Sequence, residues 1–200
     1  MIHPRLAQPS TIMAIYQFPI LIIPRKSVLE KYGHIPAQLE IKEDEWDAFW
    51  ENYVENDAED AQPDFEDART IKWWKNTEIN IKYLEHAMDQ IITRAAWVKN
   101  SDWVWKSEQA AYDHDVYIDF DETANMIEEF QFRLDLTDSS LVFLNSMLDL
   151  CVSHDWILMD FQGHLCLPNL PDLVELIKIS NAARFLSDPY NFLNTLKKPG

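Results

Sequence analysis

Four aspartates, Asp113, Asp115, Asp119 and Asp121, recur at steps of two or four residues around His114. Carboxylates are hard oxygen donors, so this pattern points to a divalent cation or to general acid–base chemistry. In an extended strand the odd-numbered residues share one face. Eight residues of strand span roughly 26 Å, so no single ion reaches all four carboxylates. A solvated acidic strand face is the simpler expectation. His114 falls on the opposite, apolar face, which predicts a core histidine with its own hydrogen-bond partners rather than a base or ligand. His154, Asp155, Asp160 and His164 form a second small cluster with metal-ligating side chains. The chain has no H-E-x-x-H, paired C-x-x-C, G-x-x-x-x-G-K-[ST], G-x-G-x-x-G or G-x-S-x-G. The common zinc patterns, phosphate loops and nucleophile elbow are therefore missing. With 34 acids, carboxylate pairs are abundant, and their abundance is no evidence for glycoside hydrolysis. Neither a metal nor a cofactor is expected.

The elements that position these residues are legible from periodicity. Residues 113–136 read as a hairpin. His114, Val116, Ile118 and Phe120 alternate with the aspartates and Tyr117, and Phe130, Phe132, Leu134 and Leu136 alternate with Glu129, Gln131, Arg133 and Asp135. Phe18–Ile23 reads as a buried strand closed by Pro24, followed by a short helix ending at Gly33. Leu39–Ile41, Ile71–Trp74 and Trp103–Trp105 read as short extended pieces. Trp46, Phe49, Trp50, Tyr53 and Val54 make one helical stripe, with Glu43, Asp44, Asp47, Glu51 and Glu55 opposite. Glu78–Thr93 and Ser139–Ser153 read as amphipathic helices, the second capped by Thr137 or Asp138. Trp156–Met159 and His164–Leu167 form a second hairpin. Pro171 opens a helix to about Leu186, and Asp188-Pro189 opens a last one. The class is α+β: an antiparallel sheet packed against several amphipathic helices, in a single domain over 1–200. If there are two lobes, they divide in the acidic loop 56–70.

The charge is the dominant compositional feature. The net charge is −17, and residues 40–67 hold thirteen acids against the single base Lys42. Direct nucleic-acid binding is disfavoured, because it needs Lys and Arg to displace counterions. Anionic membrane surfaces are disfavoured for the same reason. A basic protein partner is favoured, since opposite fields steer encounter. The acids expected to meet it are Glu43, Asp47, Glu51, Glu55, Asp57, Glu59, Asp60, Asp64, Glu66 and Asp67, with Asp113, Asp115, Asp119 and Asp121 as a second row. Two cysteines, Cys151 and Cys166, and the absence of a signal-like segment fit the cytoplasm. Three glycines in 200 residues disfavour TIM-barrel and Rossmann architectures.

Tyr112–Phe120, Ile127–Leu136 and Asp155–Asp160 carry a resemblance in style over about 112–196: acidic, aromatic-rich, α+β, without a catalytic motif. The stretch resembles small bacterial immunity proteins encoded beside polymorphic or type VI secretion toxins. That resemblance implies a non-enzymatic protein that neutralises a cognate toxin by occluding its active site. It carries over no site residue. The rival expectations are a metal-dependent enzyme with an acidic site, and a non-inhibitory acidic interaction module or DNA mimic.

Overall fold

The computed structural model describes residues 17–56, 62–97, 103–107, 112–180 and 187–188, and only the backbone of 54–56. The helix expected to run from Pro171 to about Leu186 ends at Ile179 with Ser180 as its C-cap, and residues 1–16, 181–186 and those from Pro189 on, where a last helix was expected, lie outside the described residues. What is described is α+β: five helices and a six-stranded antiparallel sheet. The elements in chain order are β1 (Gln17–Pro24), α1 (Arg25–Tyr32), α2 (Glu43–Asn56), α3 (Ile81–Ile91), β2 (Val104–Lys106), β3 (Asp115–Asp121), β4 (Met126–Asp135), α4 (Val142–Ser153), β5 (Trp156–Met159), β6 (Leu165–Cys166) and α5 (Leu170–Ile179). The spatial order of strands is β2-β3-β4-β1-β5-β6.

β1 is central, and it divides its length between two neighbours. Gln17–Leu21 pair with Asp135–Gln131 of β4, whereas Leu21–Pro24 pair with Met159–Trp156 of β5. This explains how a central strand tolerates prolines, which cannot donate to a ladder. Pro19 falls where only β4 is paired, and Pro24 is the last residue. Pairing with β4 stops at Leu21↔Gln131. Trp74 packs past that point. Its ring lies 5.2 Å from Trp156, edge-on, and 6.2 Å from Phe130.

One sheet face carries Ile20, Ile22, Val116, Phe130, Phe132 and Leu158, all essentially inaccessible to solvent. α4 covers it with Phe143, Leu144, Met147, Leu148 and Cys151. Phe143 meets Phe132 edge-on at 5.9 Å. Each such side chain contributes roughly 1.5–3 kcal/mol by leaving water. α3 adds Leu84 and Met88 to the same core. It is tied to β2 by the Trp105 indole, which donates to Asp89 at 2.8 Å.

Several local expectations shift. α3 starts later than expected, at Ile81, because Asn80 caps it by accepting from the Tyr83 amide at 3.1 Å. α4 starts at Val142, and neither Thr137 nor Asp138 caps it. Asp138 instead takes the Ser140 amide and meets buried His114. The Ile71–Trp74 piece is a run of turns, and Leu39–Ile41 forms no strand; the isolated bridge Gln38↔His164 precedes it.

Gly163 closes the β5–β6 turn with φ +84°, and the Leu39 amide donates to its carbonyl at 2.8 Å. A Cβ there would run into the Leu39 carbonyl oxygen, a backbone atom that cannot swing away. Gly163→Ala combines left-handed strain with that collision. It is expected to destabilise the fold by more than about 1 kcal/mol in a urea titration, whereas Ala at Gly33, which meets nothing within 4 Å, should lose only the strain.

Candidate functional site

The aromatic stripe and the acidic stripe of α2 are held in place by one buried carboxylate. Asp67 Oδ2 accepts the Trp46 indole N–H at 2.7 Å and the Lys42 amide at 3.2 Å. Its Oδ1 accepts the amides of Arg69 and Thr70 at 2.8 and 3.2 Å. Asp67 was expected on the partner-facing surface. It is instead buried and fully engaged, because a helix that begins at Glu43 needs an acceptor for the Trp46 ring it tucks inward. Trp46 is the buried end of the stripe. Phe49, Trp50 and Tyr53 are half-buried and step outward with ring separations of 5.2 to 6.1 Å. Beside them Glu43, Asp44, Asp47 and Glu51 are exposed. Arg69 touches Glu43 at 3.1 Å. Asp64 is exposed, and Glu66 is exposed and paired with Lys31 at 2.7 Å. The Glu55 side chain and Asp57, Glu59 and Asp60 lie outside the described residues.

The second acidic row is not a free carboxylate surface. Cross-strand register sets Arg133 opposite Asp115. The guanidinium grips that carboxylate with two donors, and Lys106 reaches both Asp113 and Asp115. Asp121 accepts the amides of Thr123 and Ala124 and shapes the hairpin turn. Asp135, expected to face water, is buried. Burial alone would raise its carboxyl, but the hydroxyl and amide of Thr137 and the Asp113 amide outweigh that and hold it below the usual range.

Asp119 is the exception. It stands directly opposite Glu129, so two like charges face one another across the ladder. The register slips there: Asp119 pairs with Glu129 but Phe120 pairs with Ile127, which leaves Glu128 as the extra residue of a β-bulge. The bulge brings Glu128 and Glu129 to the wall of one cleft. That cleft, of about 110 Å³, is lined by Leu21, Met159, Tyr117, Gln131 and Arg69 and by the rings of Trp46, Trp50, Trp73, Trp74 and Phe161. Its open side is marked by the partial exposure of Trp50, Arg69, Glu128 and Gln131.

Glu129 keeps a little contact with solvent, yet protein crowds its carboxyl on nearly every side. Burial, then the Asp119 charge, pushes it up to about 7, against a smaller opposing pull from Lys72. Asp119 is also raised, by burial first and by Glu128 second. Lys72 is seated on Glu128 at 2.9 Å, and among the described residues no cation pairs with Glu129. One sequence signal marks this place. Ile127 and Phe130 are three apart where a regular strand needs two, so the doubled Glu128-Glu129 breaks the alternation.

In the two histidine clusters, His114 and His164 are engaged in internal hydrogen bonds, whereas the buried Nε2 of His154 has no hydrogen-bond partner among the described residues. His114 Nδ1 accepts the Asp135 amide at 3.0 Å, which leaves Nε2 to donate to Asp138 at 3.1 Å, while the ring stacks on Phe143 at 4.4 Å. His154 stacks on Trp156 at 4.5 Å, and burial lowers its pKa. His164 Nδ1 meets Asp160 at 2.9 Å inside the β5–β6 turn. Burial pushes the Cys166 thiol up to about 12 and Cys151 further still. No group of three or more His, Cys, Asp and Glu among the described residues converges as a metal cage, and no described helix is long and apolar enough to cross a membrane. Comparison with protein-family models, curated proteins and solved structures finds no match.

Two stability outcomes follow. Asp67→Ala strands four donors around α2 and should destabilise by about 2–3 kcal/mol in denaturant unfolding. For Glu129 the folded value, about 7, lies above the ordinary carboxyl value of 4.5, so its protonated form favours the fold. That contribution is complete below pH 4.5 and disappears as pH rises through 7. Glu129→Gln should match wild type in unfolding free energy from urea titration near pH 4.5 and exceed it at pH 8, by roughly 1–3 kcal/mol. An unchanged gap between the two pH values would refute the assignment.

Proposed function

We propose that this chain is an immunity-type binding protein that docks on a basic protein, a cognate toxin, through the outer side of α2 and occludes its active site. One observation carries the reading: exposed Glu43, Asp44, Asp47 and Glu51 lie on the same helix as half-buried Phe49, Trp50 and Tyr53. Tight interfaces combine large aromatic anchors near the centre with charge complementarity at the rim. An acidic helix that served solubility alone has no use for aromatic rings left partly in water. The net charge of −17 adds a long-range field of the right sign for a basic partner. A standard interface takes roughly 800 Å² from each side. Asp44, Asp47 and Glu51 of α2 are exposed and enter no ion pair among the described residues, whereas Glu43 and Glu66 are partly neutralised by Arg69 and Lys31. The strand row is less suited, since Arg133 and Lys106 already neutralise Asp113 and Asp115.

The test is co-expression with the product of the adjacent reading frame. Wild-type chain should rescue growth. Asp47→Lys with Glu51→Lys should retain its circular dichroism, lower the association rate at low salt by tenfold or more, and flatten the salt dependence. A wild-type chain that gives no protection, or a reversed variant with unchanged rate and salt slope, would overturn the reading.

A further inference from the structure

The bulged corner of the hairpin supplies something the exposed helix does not: an enclosed place with more negative charge than its surroundings compensate. Asp119, Glu128 and Glu129 gather there, and Lys72 is the cation in their field. Its ammonium is taken by Glu128. Arg69 also lines this cleft, but its guanidinium is bound to the Phe161 carbonyl and Glu43 and lies 5.7 Å from the Trp46 ring. Glu129 is thus left with Asp119 opposite it and no cation of its own among the described residues. Like charges placed directly across a ladder are destabilising, and a cation bound beside them would relieve that repulsion.

The shape of the cleft narrows the ligand. Its volume of about 110 Å³ far exceeds the roughly 10–15 Å³ that one water occupies. Rings line much of the wall beside aliphatic side chains: Arg69 already lies over Trp46 and Phe161 at 5.7 and 5.8 Å, and Trp50 and Trp73 carry no such cation among the described residues. A small hard metal ion wants several converging oxygens, and the described carboxylates and imidazoles do not converge in threes. A planar organic cation gains from both features at once, because guanidinium stacks on aromatic faces and pairs with a carboxylate through two parallel hydrogen bonds. The cleft shares Trp46 and Trp50 with the aromatic stripe of α2, so a side chain entering it would come from whatever lies on that helix.

We propose that this cleft is an arginine pocket: it receives one guanidinium side chain of the docked partner between the α2 tryptophans and the Glu129 carboxylate. The identity of the donor as the partner on α2 rests on the function proposed above; the cation specificity of the cleft stands on its own walls. Binding requires the ionised carboxylate, so affinity rises with pH.

The experiment titrates the full chain with N-acetylarginine methylamide at pH 8 and constant ionic strength, following tryptophan fluorescence and heat. The neutral isostere N-acetylcitrulline methylamide is run alongside. Saturable binding of the arginine probe is expected, weakened at least tenfold in the citrulline probe and at least tenfold by Glu129→Gln. Asp119→Asn is the second variant. It leaves Glu129 ionisable and should weaken the probe less than Glu129→Gln does. No saturation by the arginine probe, or equal affinity for citrulline, or equal affinity in Glu129→Gln, overturns the pocket. Because no partner is present, those failures leave docking on α2 untouched. Loss of growth rescue in the α2 reversal variant with probe binding intact separates the two the other way.

Discussion

The divided pairing of β1 is the constraint on which the rest of this structure depends. β4 lies along one edge of this strand and β5 along the other, yet β4 pairs only with its first part and β5 only with its second, so the two ladders hand over at Leu21. Beyond it, the end of β4 is released from β1, and the space is filled by rings from elsewhere, Trp74 against Phe130 and Trp156. The same hand-over lets prolines stand in a central strand. It also leaves the end of β4 free to bulge, which an edge held by ladder hydrogen bonds on both sides resists. The cleft, the like-charge pair and the aromatic cover all sit around that release.

Most of the described acids discussed above fall into three physical classes, and the difference is location rather than residue type. Asp67, Asp138 and Asp160 are buried acceptors for nearby amides and rings. Asp113 and Asp115 are neutralised across the sheet by Lys106 and Arg133. The α2 carboxylates largely face water, and only their first turn is relieved, by the helix dipole and by Arg69 and Lys42. A net charge of −17 therefore overstates how much carboxylate is available to a partner on the strands and describes the α2 side well. The Asp119–Glu129 pair belongs to none of the three, since it is crowded like the first class yet has no donor of the first kind assigned by charge.

Much of the architecture was readable because burial imposes period. The alternation over 113–136 fixes β3 and β4 within two residues, and the Trp46–Tyr53 stripe fixes α2. Gly33, with φ +74°, ends α1 where a left-handed residue was expected. The core role of His114 followed from its parity in the strand. Where reading failed, long-range partners were the cause. Thr137 and Asp138 look like helix caps, but Asp138 is drawn to His114, 24 residues upstream. Asp67 looks like one acid among many in a charged run, yet the Trp46 indole claims it from 21 residues away.

By itself, the sequence determined the class, the hairpin, the acidic helix and its aromatic stripe, because these rest on periodicity and composition, which act within a dozen residues. It determined the sign of the field and hence the kind of partner that field suits. Only the tertiary structure decided which carboxylates are left for that partner. Charge in a chain is countable, but its availability depends on what packs against it: Arg133 reaches Asp115 through register, Lys72 reaches Glu128 across 56 residues, and a one-residue bulge brings Glu129 to a cleft lined by rings from α2 and the turn at Trp73 and Trp74. Register and packing are set by the sum of all the contacts at once, and no local pattern encodes them.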